Sequence, residues 1–328
     1  MTLKIGTVEL ASPVLLAPMA GITDLPFRDV VARFDAGLVV SEMVASQEMV
    51  QARPSTRAKA ELGFCRGQTS IQIAGREPYW MAEAARLITD NGARIIDINM
   101  GCPAKQVTNG ASGSALMRDP DHALRLIDAV VGATDVPVTL KMRLGWDDNS
   151  HNAPEIAARA EAAGIQAFTI HGRTRCQFYK GKADWAAIAA TVDAVTVPVF
   201  ANGDIVDLAT ARQALEQSNA AGVMIGRGAQ GKPWLIGQVA AHLTGQPLPA
   251  SLDIAARINL ISDHYNAMLD FYGEPLGLKM ARKHLGWYLD DIPGAAIARS
   301  AIFRMNDRNQ VIDTLYKIPV ECNLTTAA

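Results

Sequence analysis

Residues 14–227 alternate short apolar runs with longer, amphipathic, alanine-rich stretches. The apolar runs at 14–17, 38–41, 70–73, 95–98, 138–141, 167–170, 199–201 and 222–225 are too brief for helices and read as buried strands. The stretches between them carry helix punctuation: Pro78 opens one that runs to the stop pair Asn91-Gly92, Pro120 opens another, Asp207 caps a third, and 155–163 ends at Gly164. Strands that are almost continuously apolar predict a parallel sheet covered on both faces. Eight βα units within about 215 residues fit a closed (β/α)8 TIM barrel, an α/β fold, better than an open sheet. Runs at 3–5 and 8–10, turning at Gly6-Thr7, predict a hairpin that plugs the barrel bottom. Pro247-Leu248-Pro249 reads as a linker, and the residues beyond it read as helical, with Ser251-Leu252-Asp253 placed to cap the first helix. The expected division is a barrel over 1–243 and a small all-helical domain over 244–328.

In such barrels the chemistry sits where the strands end. The strand ends of this chain read Pro18-Met19-Ala20, Glu42, Gln72, Asn99 with Cys102, Lys141 with Arg143, His171 with Arg173, Asn202-Gly203-Asp204 and Gly226-Arg227. A ring of polar groups around one mouth predicts a binding site. Cys102, held between Gly101 and Pro103 at a strand exit, is a candidate catalytic thiol, because Asn99 and Lys105 make its surroundings too polar for a core position. Glycine-bearing turns after the seventh and eighth strands occupy the usual phosphate position of a barrel, with Arg227 as a charged partner. A phosphate there belongs to a nucleotide cofactor or a phosphorylated substrate. No GxGxxG follows the first strand, so a Rossmann-type NAD site is not indicated. Lys141 would set a fixed cation in the mouth, able to stabilise negative charge developing on a cofactor or substrate carbonyl. His171 is a candidate for a phosphate contact or a substrate-orienting role, with rim packing as the bland alternative.

Composition narrows the class. The chain has 328 residues, 49% hydrophobic and 20% charged, as in ordinary globular proteins. No run approaches the roughly 18 apolar residues needed to span a bilayer, and residues 1–6 show no secretory pattern. Cys65, Cys102, Cys176 and Cys322 are scattered without a CxxC pair, which argues against a local metal motif or disulfide framework and for a reducing cytoplasm. The net charge of -2 does not announce a nucleic-acid partner, and no protein partner is implied. Residues 250–328 hold eight Lys/Arg against nine Asp/Glu, although Lys279, Arg282 and Lys283 cluster within five positions.

These residues, in this order, resemble the tRNA-dihydrouridine synthases. The matching blocks run from Ala17-Pro18-Met19-Ala20-Gly21 and Gln72-Ile73-Ala74-Gly75 through Asn99-Met100-Gly101-Cys102-Pro103 and Lys141-Met142-Arg143 to His171-Gly172-Arg173-Thr174, Asn202-Gly203-Asp204 and Gly226-Arg227. The segment from Lys279 to Leu289 is similar to the C-terminal helical domain of the bacterial B-type enzymes. The resemblance implies FMN in the barrel mouth, with Pro18, Met19, Ala20, Gln72 and Lys141 at the isoalloxazine ring. Asn202, Gly203, Asp204, Gly226, Arg227 and His171 would lie at the phosphate. It implies NADPH as reductant and a D-loop uridine of tRNA, at position 17, as substrate. Hydride would pass from flavin N5 to C6 and a proton from Cys102 to C5. Asn99 and Arg173 would read the uracil edge, and Lys279, Arg282 and Lys283 would meet tRNA. The competing readings are a small-molecule FMN dehydrogenase of the dihydroorotate or dihydropyrimidine type, and an RNA-binding protein without catalysis.

Overall fold

The computed structural model describes residues 3–63 and 69–326; Cys65 lies outside them. Eight strands form the central sheet: β1 (Val14–Leu16), β2 (Leu38–Val40), β3 (Thr69–Ala74), β4 (Ile96–Met100), β5 (Val138–Arg143), β6 (Phe168–His171), β7 (Val199–Asn202) and β8 (Gly222–Ile225). Every neighbouring pair is parallel, and β8 returns to β1 through Val223↔Val14, closing the barrel. A two-residue stretch, Val44–Ala45, adds a short parallel ladder beside Ile73 and Ala74. The hairpin Lys4–Ile5 and Val8–Glu9 packs Ile5, Val8 and Leu10 against Leu15, Leu38, Ile95, Ala167, Phe200 and Met224, which fills the barrel bottom with apolar volume.

Several strands run past the last apolar residue of their sequence run. β4 continues through Asn99 to Met100, β5 through Lys141 to Arg143, β6 to His171 and β7 to Asn202. The side chains alternate. Ile96, Ile98 and Met100 on β4, and Val138, Leu140 and Met142 on β5, are almost completely buried. They share one face, and Asp97, Asn99, Thr139, Lys141 and Arg143 share the other. Lys141 and Asn202 stand on strands that are not sheet neighbours, so the hydrogen bond between them crosses the barrel interior. On β4 and β5 the apolar half therefore faces the helices, and the polar half lines the upper lumen. A strand end defined by hydrophobicity alone stops where the lumen turns polar, one to three residues early.

The helices form for local reasons visible in the chain. Asp24 accepts from the Phe27 N–H and caps α1 (Leu25–Ala32). Pro78 and Pro120 occupy first positions, where their missing N–H costs nothing, in α2 (Pro78–Asp90) and α3 (Pro120–Val131). The helix α4 (Ala153–Ala162) ends before Gly164, whose φ of +108° favours glycine. Asp207 and Thr210 form a reciprocal capping box on α5 (Leu208–Ser218), and α6 (Leu235–Thr244) follows.

The chain divides into two compact units. One runs up to Gly228 and resumes over Leu235–Pro247; the other joins Ala229–Trp234 to the chain from Leu248 onward. The second unit is helical: α7 (Ile254–Tyr272, capped by Asp253), α8 (Glu274–Asp290), α9 (Ala296–Ile302) and α10 (Arg308–Thr326). Its core is built on Ile258, Tyr265, Met268, Leu285, Leu289 and Leu315, with Trp234 packed against it. His264 is buried in this unit. Among the described residues no helix is long and apolar enough to cross a membrane.

Candidate active site

At the upper lumen the polar face of each strand delivers side chains to one mouth. The turn after β1 is tied down by the Met19 N–H donating to Thr23 Oγ1 at 2.8 Å and the Gly21 N–H donating to Glu42 Oε1 at 2.5 Å. Gly226 closes the ring beside that turn: a Cβ there would stand 3.5 Å from Ala17 Cβ and 3.6 Å from Met19 Sδ.

On β3 to β5 the polar groups bond one another. Gln72 Nε2 donates to Asp97 Oδ2 at 2.7 Å, Thr139 Oγ1 donates to Asp97 Oδ1 at 2.6 Å, and Asn99 Nδ2 donates to Gln72 Oε1 at 2.7 Å. Asn99 Oδ1 in turn accepts from the N–H groups of Gly101 and Cys102. Asn99, expected to read a uracil edge, is thus engaged with the protein on both sides of its amide. Burial pushes the Asp97 carboxyl above its ordinary value, although Gln72, Thr139 and the Lys141 charge act to lower it.

The cysteine loop is held from three directions. Besides the Asn99 contact, Ser114 donates to the Cys102 carbonyl from both N–H and Oγ, and Arg143 Nε donates to the Gly101 carbonyl at 2.7 Å. The Cys102 side chain is partly exposed and within electrostatic reach of Lys141 and Arg143. Lys141 Nζ donates to Asn202 Oδ1 at 3.0 Å. Burial, with the neighbouring Arg143 charge, brings the Lys141 ammonium down to about 8, while Asp97 and Cys102 act in the opposite direction. Burial also lowers Arg143, to about 10, where it remains a cation at neutral pH.

The β6 and β7 ends form a second cluster. Arg173, the other expected uracil reader, spends its guanidinium on the protein. Nε donates to Lys180 O, Nη1 to Asp204 Oδ1 and His171 Nε2, and Nη2 to Asp204 Oδ2 and Gly181 O. With all five N–H groups committed and 1% of its surface exposed, it has no donor left for a base. Desolvation raises Asp204, but the Arg173 hydrogen bond, the Ala183 N–H and the Arg173 and Arg227 charges outweigh it and hold the carboxylate below its usual value. His171 is pushed well below its ordinary pKa by burial and by Arg143, Lys141, Arg173 and Arg227, so the ring is neutral. Arg173 can only donate, so His171 Nε2 accepts and the proton sits on Nδ1.

The fit to a phosphate-bearing cofactor follows from the same geometry. Gly203, at φ +115°, lets the turn run so close that a Cβ would meet His171 Cδ2 at 2.9 Å and Ala183 Cβ at 2.8 Å. Arg227 is over half exposed and keeps a guanidinium at the rim, above the Tyr179 ring. Asn202 contributes backbone only, because its side chain is taken by Lys141 and by the Met224 carbonyl. Four cations (Lys141, Arg143, Arg173 and Arg227) stand against three carboxyls (Glu42, Asp97 and Asp204), so this mouth is electropositive although the whole chain is not. Asp97 and Tyr179 were absent from the strand-end reading. Asp97 stands two positions before Asn99 on the same strand, and period-two spacing marks it. Lys279, Arg282 and Lys283 lie apart from this cluster in the sequence, on α8. Lys279 and Arg282 line a cavity of about 390 Å³ with Glu274, Pro275, Leu278 and Asn306, and Arg282 Nη2 is held by Asn306 Oδ1 at 2.9 Å.

The chain is similar to known proteins along nearly its whole length. The sequence model of the family described as "Dihydrouridine synthase (Dus)" matches residues 15–323. A "Probable tRNA-dihydrouridine synthase" of Rhodobacter capsulatus is 63% identical over 308 residues, 94% of each chain. The "tRNA-dihydrouridine synthase B" of Pseudomonas aeruginosa is 46% identical over 305 residues, 93% of this chain and 92% of that one. Among solved structures, 2-naphthoyl-CoA reductase in complex with 2-naphthoyl-CoA superposes with a TM-score of 0.59 at 14% identity, over 75% of this chain and 52% of that one. Morphinone reductase in complex with tetrahydroNAD gives 0.51 at 14% identity, over 78% and 93%. At such identities the structures show the barrel fold alone, whereas the family match spans the barrel and most of the helical unit. The chain belongs to the dihydrouridine synthase family.

Proposed function

We propose that this chain reduces the C5=C6 bond of a tRNA D-loop uridine, at position 17, to 5,6-dihydrouridine in the cytoplasm, with FMN in the barrel mouth and NADPH as reductant. Family membership supports the reaction class. The observation that carries the mechanism is the pinned Cys102 loop, which sets a partly exposed thiol beside two cations at an electropositive mouth. In this reading Pro18, Met19, Ala20, Gln72 and Lys141 adjoin the isoalloxazine ring. The backbone of Asn202, Gly203 and Asp204, with Gly226, Arg227 and the Nδ1–H of His171, takes the phosphate. Bound there, the flavin supplies the hydride that reaches C6 of the uracil.

The protein's own residues do the rest. Cys102 holds a proton over C5 and releases it as C6 is reduced. Arg143 stands beside the thiolate left behind, and Ser114, Asn99 and Arg143 prevent the loop from retreating. Arg173 braces the β6 and β7 turns through Asp204 and reads no base. A uridine stacked in folded RNA cannot reach this mouth, so it is turned out into the lumen. Lys279, Arg282 and Lys283 on α8 supply phosphate contacts that hold the tRNA.

Gly203→Ala is expected to weaken FMN binding about tenfold or more. The added methyl meets His171 and Ala183 below 3 Å and sits at positive φ, strain on the order of 1–3 kcal/mol. Flavin titration with the melting temperature measured alongside checks it.

The function itself is tested by mapping dihydrouridine in tRNA from cells lacking and then regaining the gene. Position 17 should lose and recover the modification. Turnover of free uridine with intact tRNA untouched would favour a small-molecule dehydrogenase, and a colourless purified protein would favour RNA binding without catalysis.

A further inference from the structure

Gln72, Asp97 and Thr139 are register partners on β3, β4 and β5, and Asn99 stands one layer higher, opposite Lys141. Their hydrogen bonds form a single directed chain. It begins at the Gly101 and Cys102 N–H groups, which are backbone donors and cannot be turned round. They oblige Asn99 to present Oδ1 to the loop, and hence Nδ2 to Gln72. Gln72 must then present Oε1 to Asn99 and Nε2 to the next group. Only an acceptor can end this chain. Asp97 stands there, 3% exposed, with its second oxygen taken by Thr139.

An apolar side chain would serve the barrel better if packing were all that mattered at position 97. The barrel bottom is built from apolar residues, Leu15, Phe200 and Met224 among them, and a buried carboxyl is costly to desolvate. We propose that Asp97 is a positioning residue: the fixed acceptor that sets the amide orientations of Gln72 and Asn99 and, through them, the backbone of the Cys102 loop. This rests on the reduction proposed above, in which Cys102 gives the proton. Without the acceptor, the loop N–H groups alone hold the two amides, and the chain is fixed at one end instead of two.

The test uses the FMN-loaded enzyme, with two readouts: the rate at which tRNA reoxidises the reduced enzyme, and hydrogen exchange of the Cys102 amide. Asp97→Asn still offers a carbonyl to Gln72 and an amino group to the Thr139 oxygen, so it keeps the rate within about threefold and the amide protected. Asp97→Leu removes the acceptor; the rate is expected to fall about 30-fold or more and the amide to exchange faster. Should Asp97→Leu fail to fold, a reversed chain decides. Asn99→Asp accepts from the loop but cannot donate to Gln72, so it is slow. Adding Asp97→Asn to it lets Gln72 turn over, donating to position 99 and accepting from the new amide at 97. The double variant is expected to exceed Asn99→Asp alone about tenfold. Asp97→Asn as slow as Asp97→Leu, or a double variant no faster than Asn99→Asp, overturns the proposal. If no form, wild type included, makes dihydrouridine, the proposed reaction falls, and Cys102 amide exchange still decides for or against the relay.

Discussion

Cys102→Ala is expected to yield a yellow protein that oxidises NADPH normally and forms about 10³-fold less dihydrouridine, the scale of a lost general acid. The loop should keep its shape, because what pins it is main chain: the Cys102 N–H to Asn99, the Cys102 carbonyl to Ser114, and the Gly101 carbonyl to Arg143. Alanine leaves all three in place and removes one sulfur from a partly exposed site, so the melting temperature should barely move. The loss therefore falls on the step that needs a proton at C5. Single-turnover reoxidation of the reduced enzyme by tRNA separates it from flavin reduction. Normal reoxidation in the alanine variant would remove Cys102 from the chemistry.

Lys141→Met is expected to act on the other half-reaction, slowing flavin reduction or weakening FMN binding about 100-fold, as when one fixed electrostatic donor is lost. Methionine keeps most of the stem's volume. Removing the ammonium relieves the cost of its burial and of the Arg143 repulsion, together on the order of 3 kcal/mol, which offsets the hydrogen bond lost at Asn202. The effect should therefore appear in function, not folding. It carries a pH signature. With its pKa lowered from 10.5 to about 8, Lys141 is cationic at neutral pH and loses its charge as pH rises through about 8. Whatever depends on that charge should decline on the alkaline side in the wild type, with a midpoint at or above 8, because a bound electron-rich ring favours the cation. The Met variant should show no such limb. Equal affinity and reduction rate in the two proteins, or the same alkaline limb in both, would sink this role for Lys141.

Much of the architecture was legible in the chain because a parallel barrel writes it twice, in apolar strands and in capped helices. Asp207, Pro78 and Pro120 mark their helices in the sequence itself, since each acts through its own backbone neighbours. The strand ends were less legible. Val138-Thr139-Leu140-Lys141 looks finished at the lysine, yet the ladder continues to Arg143 because the lumen, not solvent, receives the charge. The ring of polar residues was visible for the same reason that the strands were. How those residues spend their hydrogen bonds was not. Arg173 and Asn99 have the donors expected of base readers, but Asp204 and Gln72, 31 and 27 positions away, take them up. Sequence spacing does not record such pairings.

The second unit draws Ala229–Trp234 from within the first, and this sets a limit on cutting and grafting the chain. Trp234 packs on the helical core and faces the Arg257 guanidinium, Lys232 pairs with Asp291, and any side chain at Gly231 would collide with the Trp287 carbonyl. A scissor placed at Pro247 would leave that peptide behind and hand the tail a core with an empty socket. Recombining helical units between relatives therefore calls for two crossovers, with Ala229–Trp234 travelling alongside the tail.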